Sequence, residues 1–299
     1  MDRLWYYAAL LFACLVRSLP LRVIAAVGRA GGGIAYYVDG RHRRVALLNL
    51  CRCFPDRPRF ELTRLAREHF RRLGENYISA IRTTGMPAES LSSHLAVVGA
   101  EKLAGRTARG AVVAIGHFGN FELYARLPVG RLQGATTYRA LKQPRLEKLV
   151  RKLREESGCR FFDRRRDGAA LREALARGGI VLGLLSDQHA GSKGLRVSFF
   201  GHECSVTAAP ALLAQRYELP LHTAICFRIG LAQWQIEIGD EIPTAWGGRR
   251  RPAAEVMADV SAKFEEAVRR DPANWFWVHD RWRFAKGRPA TNLRGGACR

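Results

Sequence analysis

The chain has 299 residues, of which 47% are apolar. It contains no repeat of roughly 20 to 50 residues and no low-complexity tract, which excludes a solenoid and predicts one large domain with a helical appendage. Lys and Arg number 49 against 27 Asp and Glu, giving a net charge of +22. The excess predicts a negatively charged partner: nucleic acid, an anionic bilayer, a phosphorylated lipid or an acidic protein. A solvated basic surface without a partner is the alternative.

The seven cysteines do not form a paired C-x-x-C set. Cys51 and Cys53 are closer together than the usual zinc ligand pair, and no second pair lies nearby. We therefore expect neither a metal site nor a cofactor.

The amino-terminal segment from Leu4 to Val16 is uncharged and is bracketed by Arg3 and Arg17. At about 1.5 Å per residue it is too short to span a bilayer, and no clear cleavage site follows it. Its aromatic start, which includes Trp5, suits a membrane interface. We expect an uncleaved anchor that lies in the interface or barely spans; a buried core helix is the alternative.

Residues 1–90 predict a membrane-associated helical region. The segment from Val23 to Val38 is apolar, and we expect its glycines at positions 31–33 to break the helix. From Phe60 to Arg82, apolar residues recur at intervals of mostly three and four, which predicts a helix. Arginines lie between them, so this helix could present a basic face to a membrane or an acidic partner.

After about residue 95, short apolar runs alternate with helical patterns. The strands are predicted at 111–115, 135–138, 180–185, 221–227 and 233–238, and the helices at 120–127, 146–156, 169–177, 208–217 and 254–269. Residues 91–286 therefore predict an α/β domain with a central mixed sheet flanked by helices. The remaining residues, 287–299, are expected to be a disordered tail.

The segment Gly116-His117-Phe118-Gly119-Asn120-Phe121-Glu122 follows the first predicted strand directly. Catalytic residues collect at the carboxyl ends of strands in α/β sheets. His117 could take a proton from a hydroxyl, and Glu122 could hold the other ring nitrogen. The spacing alone is weak, because 8 His and 27 acidic residues in 299 positions predict about 0.7 chance matches to His-x4-acid. A histidine that caps the helix or satisfies a buried carbonyl is the alternative.

Four ordered blocks resemble the bacterial lipid A biosynthesis acyltransferase family, within the lysophospholipid-acyltransferase-like superfamily, which implies a glycerol-3-phosphate-acyltransferase-like fold. The first is the His-x4-Glu segment, HFGNFE, and the second is YRALKQP at 138–144. The third runs from SDQ at 186–188 to VSFFG at 197–201, and the last is WFWVHDRWR at 275–283. Ala140 and Gln143 depart from the residues that this family often has, which leaves the acceptor and the acyl length open.

The resemblance implies transfer of a fatty acyl chain from an acyl carrier protein to a hydroxyl of a phosphorylated glucosamine disaccharide lipid. The place implied is the cytoplasmic face of the inner membrane. His117 would be the base and Glu122 its partner. The candidate substrate-binding residues are Asn120, Arg139, Arg164, Asp187 and Gln188. A structural salt bridge is the alternative for Arg139, and loop capping is the alternative for Asp187 and Gln188. In the last block, packing is favoured over catalysis, and His279 is a weak site candidate.

Other functions fit the sequence less well. An acyltransferase of the same superfamily could act on another glycolipid, a lysophospholipid or an aminolipid. The chain lacks the Phe-Pro-Glu-Gly-Thr block of phosphatidic-acid-forming enzymes and the G-x-S-x-G elbow of serine hydrolases. It also lacks a nucleic-acid-binding motif, so we expect no nucleic-acid partner.

Overall fold

The structure is a computed structural model, and it describes residues 2–104, 109–127, 129–141 and 143–283. Its α-helices are α1 (Asp2–Ser18), α2 (Leu21–Val38), α3 (Gly40–Cys53), α4 (Arg59–Thr84), α5 (Ala88–Ser92), α6 (Pro144–Glu155), α7 (Gly168–Arg177), α8 (Ala209–Tyr217) and α9 (Ala253–Arg270). Short 3₁₀ helices cover Ala100–Ala104, Phe121–Arg126 and Pro272–Asn274. The predicted disordered tail lies outside the described residues.

The strands are β1 (Leu95–Val98), β2 (Gly110–Ile115), β3 (Gln133–Tyr138), β4 (Arg160–Asp163), β5 (Ile180–Leu185), β6 (Leu195–Phe199), β7 (His202–Val206), β8 (Leu221–Gly230), β9 (Gln233–Ile238), β10 (Ala245–Trp246) and β11 (Arg249–Arg250). Within the described residues, seven of them form one sheet in the order β1-β9-β8-β2-β5-β3-β4. Neighbours are parallel except for the antiparallel pair β8 and β9. The predicted α/β fold with a mixed sheet and flanking helices is therefore confirmed.

The central strand β2 is buried along its whole length, so both faces of the sheet are covered there. Val112 and Ala114 pack into a core with residues of α7, α8 and α9. Ala111 and Val113 point the other way, into a core shared with Leu21 and other residues of α2. Because side chains alternate along a strand, a continuous apolar run is what a two-sided position requires.

The expected break in α2 is wrong, because the helix continues through its glycines from Leu21 to Val38. The reason is the crossing of α2 and α4. A Cβ on Gly32 would lie 2.1 Å from the carbonyl oxygen of Phe70, and a Cβ on Gly28 would lie 2.6 Å from that of Gly74. Glycine at these positions lets the two backbones touch, and packing outweighs the low helix propensity of glycine.

A buried carboxylate ties these helices to the sheet. Glu75 on α4 is fully buried and forms ion pairs with Arg29 of α2, at 3.1 Å, and Arg228 of β8, at 2.8 Å. It also accepts a hydrogen bond from the backbone N–H of Ala232, at 2.9 Å. Burial of a carboxylate is tolerated when its oxygens are paired in this way.

The predicted division of the chain at residue 90, between a helical region and an α/β domain, stays a prediction.

The helix α1 has apolar residues on two sides. One side packs against the rest of the protein, and the other is exposed. Ala13 and Val16 are buried, whereas Trp5, Leu11 and Leu15 are 65%, 72% and 58% exposed. None of the described helices is long and apolar enough to cross a membrane. The observed helix thus differs from a buried core helix, the alternative considered for this segment.

Candidate active site

The site lies where two neighbouring parallel strands end. β2 leads to His117 and β5 leads to Asp187, and the two strands are paired from Gly110 with Ile180 to Ile115 with Leu185. Parallel strands carry their carboxyl ends to the same edge of a sheet, so residues 70 positions apart in the chain meet. His117 Nδ1 lies 2.7 Å from Asp187 Oδ1, and the backbone N–H of His117 donates to Asp187 Oδ2 at 2.8 Å.

The turn between β2 and the following 3₁₀ helix requires glycine at one position. Gly119 has a φ of +52°, and a Cβ there would lie 2.6 Å from the carbonyl oxygen of Cys226. Its N–H donates to the carbonyl oxygen of Asn274 at 3.1 Å. The close approach to β8 and to the segment after α9 fixes the path of the chain beside His117.

Asp187 is 1% exposed and is held by the carboxyl-terminal block. Trp275 Nε1 donates to Asp187 Oδ2 at 2.8 Å, and the guanidinium of Arg281 donates to the backbone carbonyl of Asp187. Burial alone would raise the pKa of Asp187, but the His117 contact and the charge of Arg281 outweigh it and lower the pKa to about 2. The carboxylate therefore stays ionised beside the imidazole.

The other ring nitrogen of His117 faces the open side of the site. Gln188 Nε2 lies 3.3 Å from His117 Nε2, and an imidazole that carries its proton on Nδ1 can accept from that amide. The rings of Phe121 and Phe276 contact the imidazole, with centroids 4.9 Å and 5.6 Å away. These rings limit the movement of His117.

Glu122 does not occupy the place predicted for it. Arg154 Nη2 of α6 donates to Glu122 Oε1 at 2.9 Å, whereas the ring of His117 is held by Asp187. The expectation that Glu122 holds the imidazole is corrected by this geometry. The segment from Phe121 to Arg126 is a 3₁₀ helix, which lies within the helical stretch predicted at 120–127. Glu122 still lines the same cavity as His117.

A cavity of about 810 Å³ opens beside His117. Its floor is apolar and comes from one face of the sheet, at Val113, Ile115, Val181 and Leu185. Arg139 and Arg164 line it and are exposed, so both predicted arginines stand where a negatively charged ligand could reach them. Gln188 lines it as well.

Two of the predicted substrate-binding residues are placed differently. Asp187 is buried behind His117, so the structure corrects its predicted contact with substrate to a contact with the imidazole. Asn120 is 1% exposed, and its Nδ2 lies 3.4 Å from Thr83 Oγ1. It borders a cavity of about 20 Å³ between His117 and α4.

The carboxyl-terminal block does more than the packing predicted for it. Trp275 and Arg281 both contact Asp187, and His279 Nε2 accepts from the backbone N–H of His189 at 3.1 Å. Spacing within the block did not reveal these contacts. The signal available in the sequence was an Arg and several Trp residues close together in a short segment. Arg281 is fully buried and Arg251 is 8% exposed, so not all of the arginines that contribute to the net positive charge are on the surface.

The arrangement is suited to taking a proton from a hydroxyl. A buried carboxylate fixes the imidazole tautomer and would stabilise the imidazolium, as in the Asp-His pairs of acyl-transferring enzymes. An apolar floor with arginines at its edge would suit an acyl chain attached to an anionic group.

A family model described as "Bacterial lipid A biosynthesis acyltransferase" matches residues 1–284. The chain belongs to this family. The protein is therefore an acyltransferase of lipid A biosynthesis, which confirms the resemblance seen in the four sequence blocks. No curated protein matches the chain in the comparison made.

Proposed function

We propose that this acyltransferase moves a fatty acyl chain from an acyl carrier protein to a hydroxyl of a lipid A precursor at the cytoplasmic face of the inner membrane. The observation that carries the proposal is the His117–Asp187 pair, which faces a cavity with an apolar floor and an arginine edge. The apolar floor suits the acyl chain, and Arg139 and Arg164 suit the phosphates of the acceptor or donor.

The reaction proposed is a direct transfer. His117 Nε2 takes the proton of the acceptor hydroxyl while the oxygen attacks the thioester carbonyl of the donor. The imidazolium that forms is stabilised by Asp187 across the 2.7 Å contact. When the tetrahedral intermediate collapses, the new ester forms, the C–S bond breaks and His117 returns the proton to the departing thiolate. Gln188 leaves Nε2 when the hydroxyl arrives.

We propose a separate role for Glu122. Its ion pair with Arg154 keeps one oxygen at the cavity wall, and the other can accept a hydrogen bond from the acceptor. Glu122 would then orient the acceptor towards His117. This role predicts that replacing Glu122 by Gln raises KM for the acceptor more than it lowers kcat.

The acyl-carrier donor is supported by the charge around the cavity. Helix α6 contributes Arg154 to the cavity wall and exposes Arg145, Lys148, Arg151 and Lys152. Carrier proteins are acidic, and attraction between exposed charges weakens as salt rises.

The test compares two donors, an acyl carrier protein and a short acyl thioester without the carrier. Between 50 and 300 mM salt, roughly the range over which screening changes most, we expect kcat/KM to fall several-fold more for the carrier. Lys148→Glu should reduce this difference, and Arg216→Glu on α8, also exposed, is the matched control. Equal salt dependence for both donors, or exclusive use of acyl-CoA, would refute the donor.

Membrane association is supported by the exposed apolar side of α1. Leu11 and Leu15 lie on that side, 72% and 58% exposed, and they would contact the acyl region of a bilayer. The acceptor could then keep its tails in the bilayer while its hydroxyl reaches His117.

A further inference from the structure

A second cavity lies between α2 and α4, and neither Arg139 nor Arg164 lines it. It has a volume of about 610 Å³, and we call it the α2–α4 groove. Its wall is apolar apart from Asp39, which lies between α2 and α3, and His42 of α3. The other lining residues come from α1, α2, α4 and the segment after α9. The lining includes Phe12, Val27, Gly31, Phe70, Ile78 and Val278.

The inner end of the groove lies close to His117. Phe276 lines the groove, and its ring centroid lies 5.6 Å from that of His117. Tyr77 also lines the groove and lies 6.5 Å from Phe121, the other ring on the imidazole. The same Tyr77 borders the cavity beside the sheet and the small cavity next to Asn120. The groove and the sheet cavity therefore share Tyr77 as a lining residue close to His117.

The outer end of the groove opens on an apolar surface. Phe12 and Val27 line the groove and are 49% and 56% exposed. Exposed apolar residues of α1 and α2 continue this surface, among them Leu11, Leu15, Val23 and Ile34. An alkyl chain from a bilayer on this surface could enter the groove without crossing water, so its methylenes would stay in apolar surroundings throughout.

We propose that the α2–α4 groove holds one acyl tail of the lipid acceptor, and that Gly31 keeps it open for this tail. The inference rests on the proposed function. It assigns the two substrates to different cavities: the acceptor tail to the groove on the apolar surface, and the donor to the sheet cavity with its arginine edge. A donor delivered by a water-soluble carrier has no need of an entrance at the membrane side.

Gly31 is the position at which the groove can be tested without disturbing the helix crossing. A Cβ on Gly28 or Gly32 would strike the backbone of α4, but a Cβ on Gly31 meets no atom within 4 Å. Gly33 is a matched control on the same helix. It does not line the groove, and its Cβ would meet only the Arg71 side chain, at 3.6 Å and 3.7 Å. Replacing glycine inside a helix also favours folding, because glycine loses more conformational freedom on folding than other residues do.

The experiment compares Gly31→Leu with Gly33→Leu in the full chain. The acceptors are the phosphorylated glucosamine disaccharide lipid in vesicles and the same disaccharide without its tails. For Gly31→Leu we expect KM for the tailed acceptor to rise about tenfold, because the leucine side chain would displace part of the tail from its contacts in the groove; this rise corresponds to about 1.4 kcal/mol of lost binding free energy. KM for the tailless acceptor and hydrolysis of the donor thioester should change less than twofold. Gly33→Leu should change none of these quantities.

Three results would overturn the assignment. They are an unchanged KM for the tailed acceptor, an equal rise in KM for the tailless acceptor, and a shift of the donor chain-length profile towards shorter chains. The last result would place the donor chain in the groove. Co-sedimentation of both variants with the vesicles checks that membrane binding is retained. If the wild-type enzyme transfers nothing to either acceptor, the proposed function fails, and this outcome differs from each of the three.

Discussion

The active site and the amino-terminal helices differ in which kinds of side chain they bury. At the site, charged and polar groups are buried, and Asp187 has contacts from His117, Trp275 and Arg281. In α1 and α2, apolar side chains are exposed, including Leu11 at 72% and Val27 at 56%. Buried polar groups need fixed partners, whereas exposed apolar groups are stable when something outside the chain covers them. The comparison shows an active site whose polar groups are fixed by contacts within the chain, beside an apolar surface that contacts within the chain do not cover.

The largest effect should follow from removing the charge at the active site. Asp187→Asn keeps the shape of the side chain but cannot stabilise an imidazolium, so kcat should fall by about 1,000- to 10,000-fold. KM for the acceptor should change little. The measurement is steady-state transfer, with circular dichroism to verify folding.

Double variants then show whether Asp187 or Glu122 acts together with His117. If His117 and Asp187 act as one unit, the double variant His117→Ala/Asp187→Asn should be no worse than the worse single variant. Near-normal kcat in folded Asp187→Asn would show that the carboxylate is dispensable. A stronger coupling of His117 to Glu122 would restore Glu122 as its partner.

A smaller effect is expected when the exposed surface is made polar. Changing both Leu11 and Leu15 to Glu should lower partition onto anionic vesicles at least tenfold, because burying a Leu side chain contributes roughly 1.5–3 kcal/mol. Transfer to an acceptor in vesicles should fall with it, whereas hydrolysis of a soluble thioester should not. Leu212→Glu on α8, where Leu212 is 52% exposed, is the control. Unchanged partition would mean that α1 does not contact the bilayer.

The smallest effect concerns the boundary between the two regions. Burial lowers the pKa of His69 on α4 to about 4, and its Nδ1 lies 3.4 Å from the carbonyl oxygen of Ala273. The unfolded chain takes up this proton near pH 6.5 and the folded chain does not, so stability is present above pH 6.5 and is lost as pH falls towards 4. We expect a loss of about 1 kcal/mol between roughly pH 6.5 and 5.5.

Urea denaturation at the two pH values measures this loss. His69→Gln should remove most of the pH dependence. His202→Gln, at an exposed histidine, should leave it intact. An identical slope in the wild type and His69→Gln would assign the acid sensitivity to other groups.

The sequence predicted local features well and distant contacts poorly. The strands at 180–185 and 233–238 match the observed strands, because apolar runs and alternation report burial directly. The hairpin β6–β7 was not predicted. His117 was found because its motif is contiguous. Its partner Asp187 lies 70 residues away, and only the pairing of β2 with β5 brings the two together.

The glycines of α2 are a second case in which a distant contact was not predicted from the sequence. Local propensity predicts a break at positions 31–33, but the helix is held by its contact with α4. Gly32 is needed there because Phe70 approaches its backbone. No property of the segment by itself indicates that Phe70 approaches Gly32, so the local sequence led to the wrong prediction of a break in α2.

The late position of Trp275 has a consequence for how the enzyme is made. Trp275 supports Asp187 but follows it by 88 residues, and ribosomes add roughly 5 to 20 residues per second. For several seconds the emerging chain thus contains His117 and Asp187 without the indole that orients them. His117 and Asp187 are therefore synthesised before Trp275, the residue that holds Asp187 in place. We expect activity to begin only when the segment after α9 has docked, because Trp275 and Arg281 both contact Asp187.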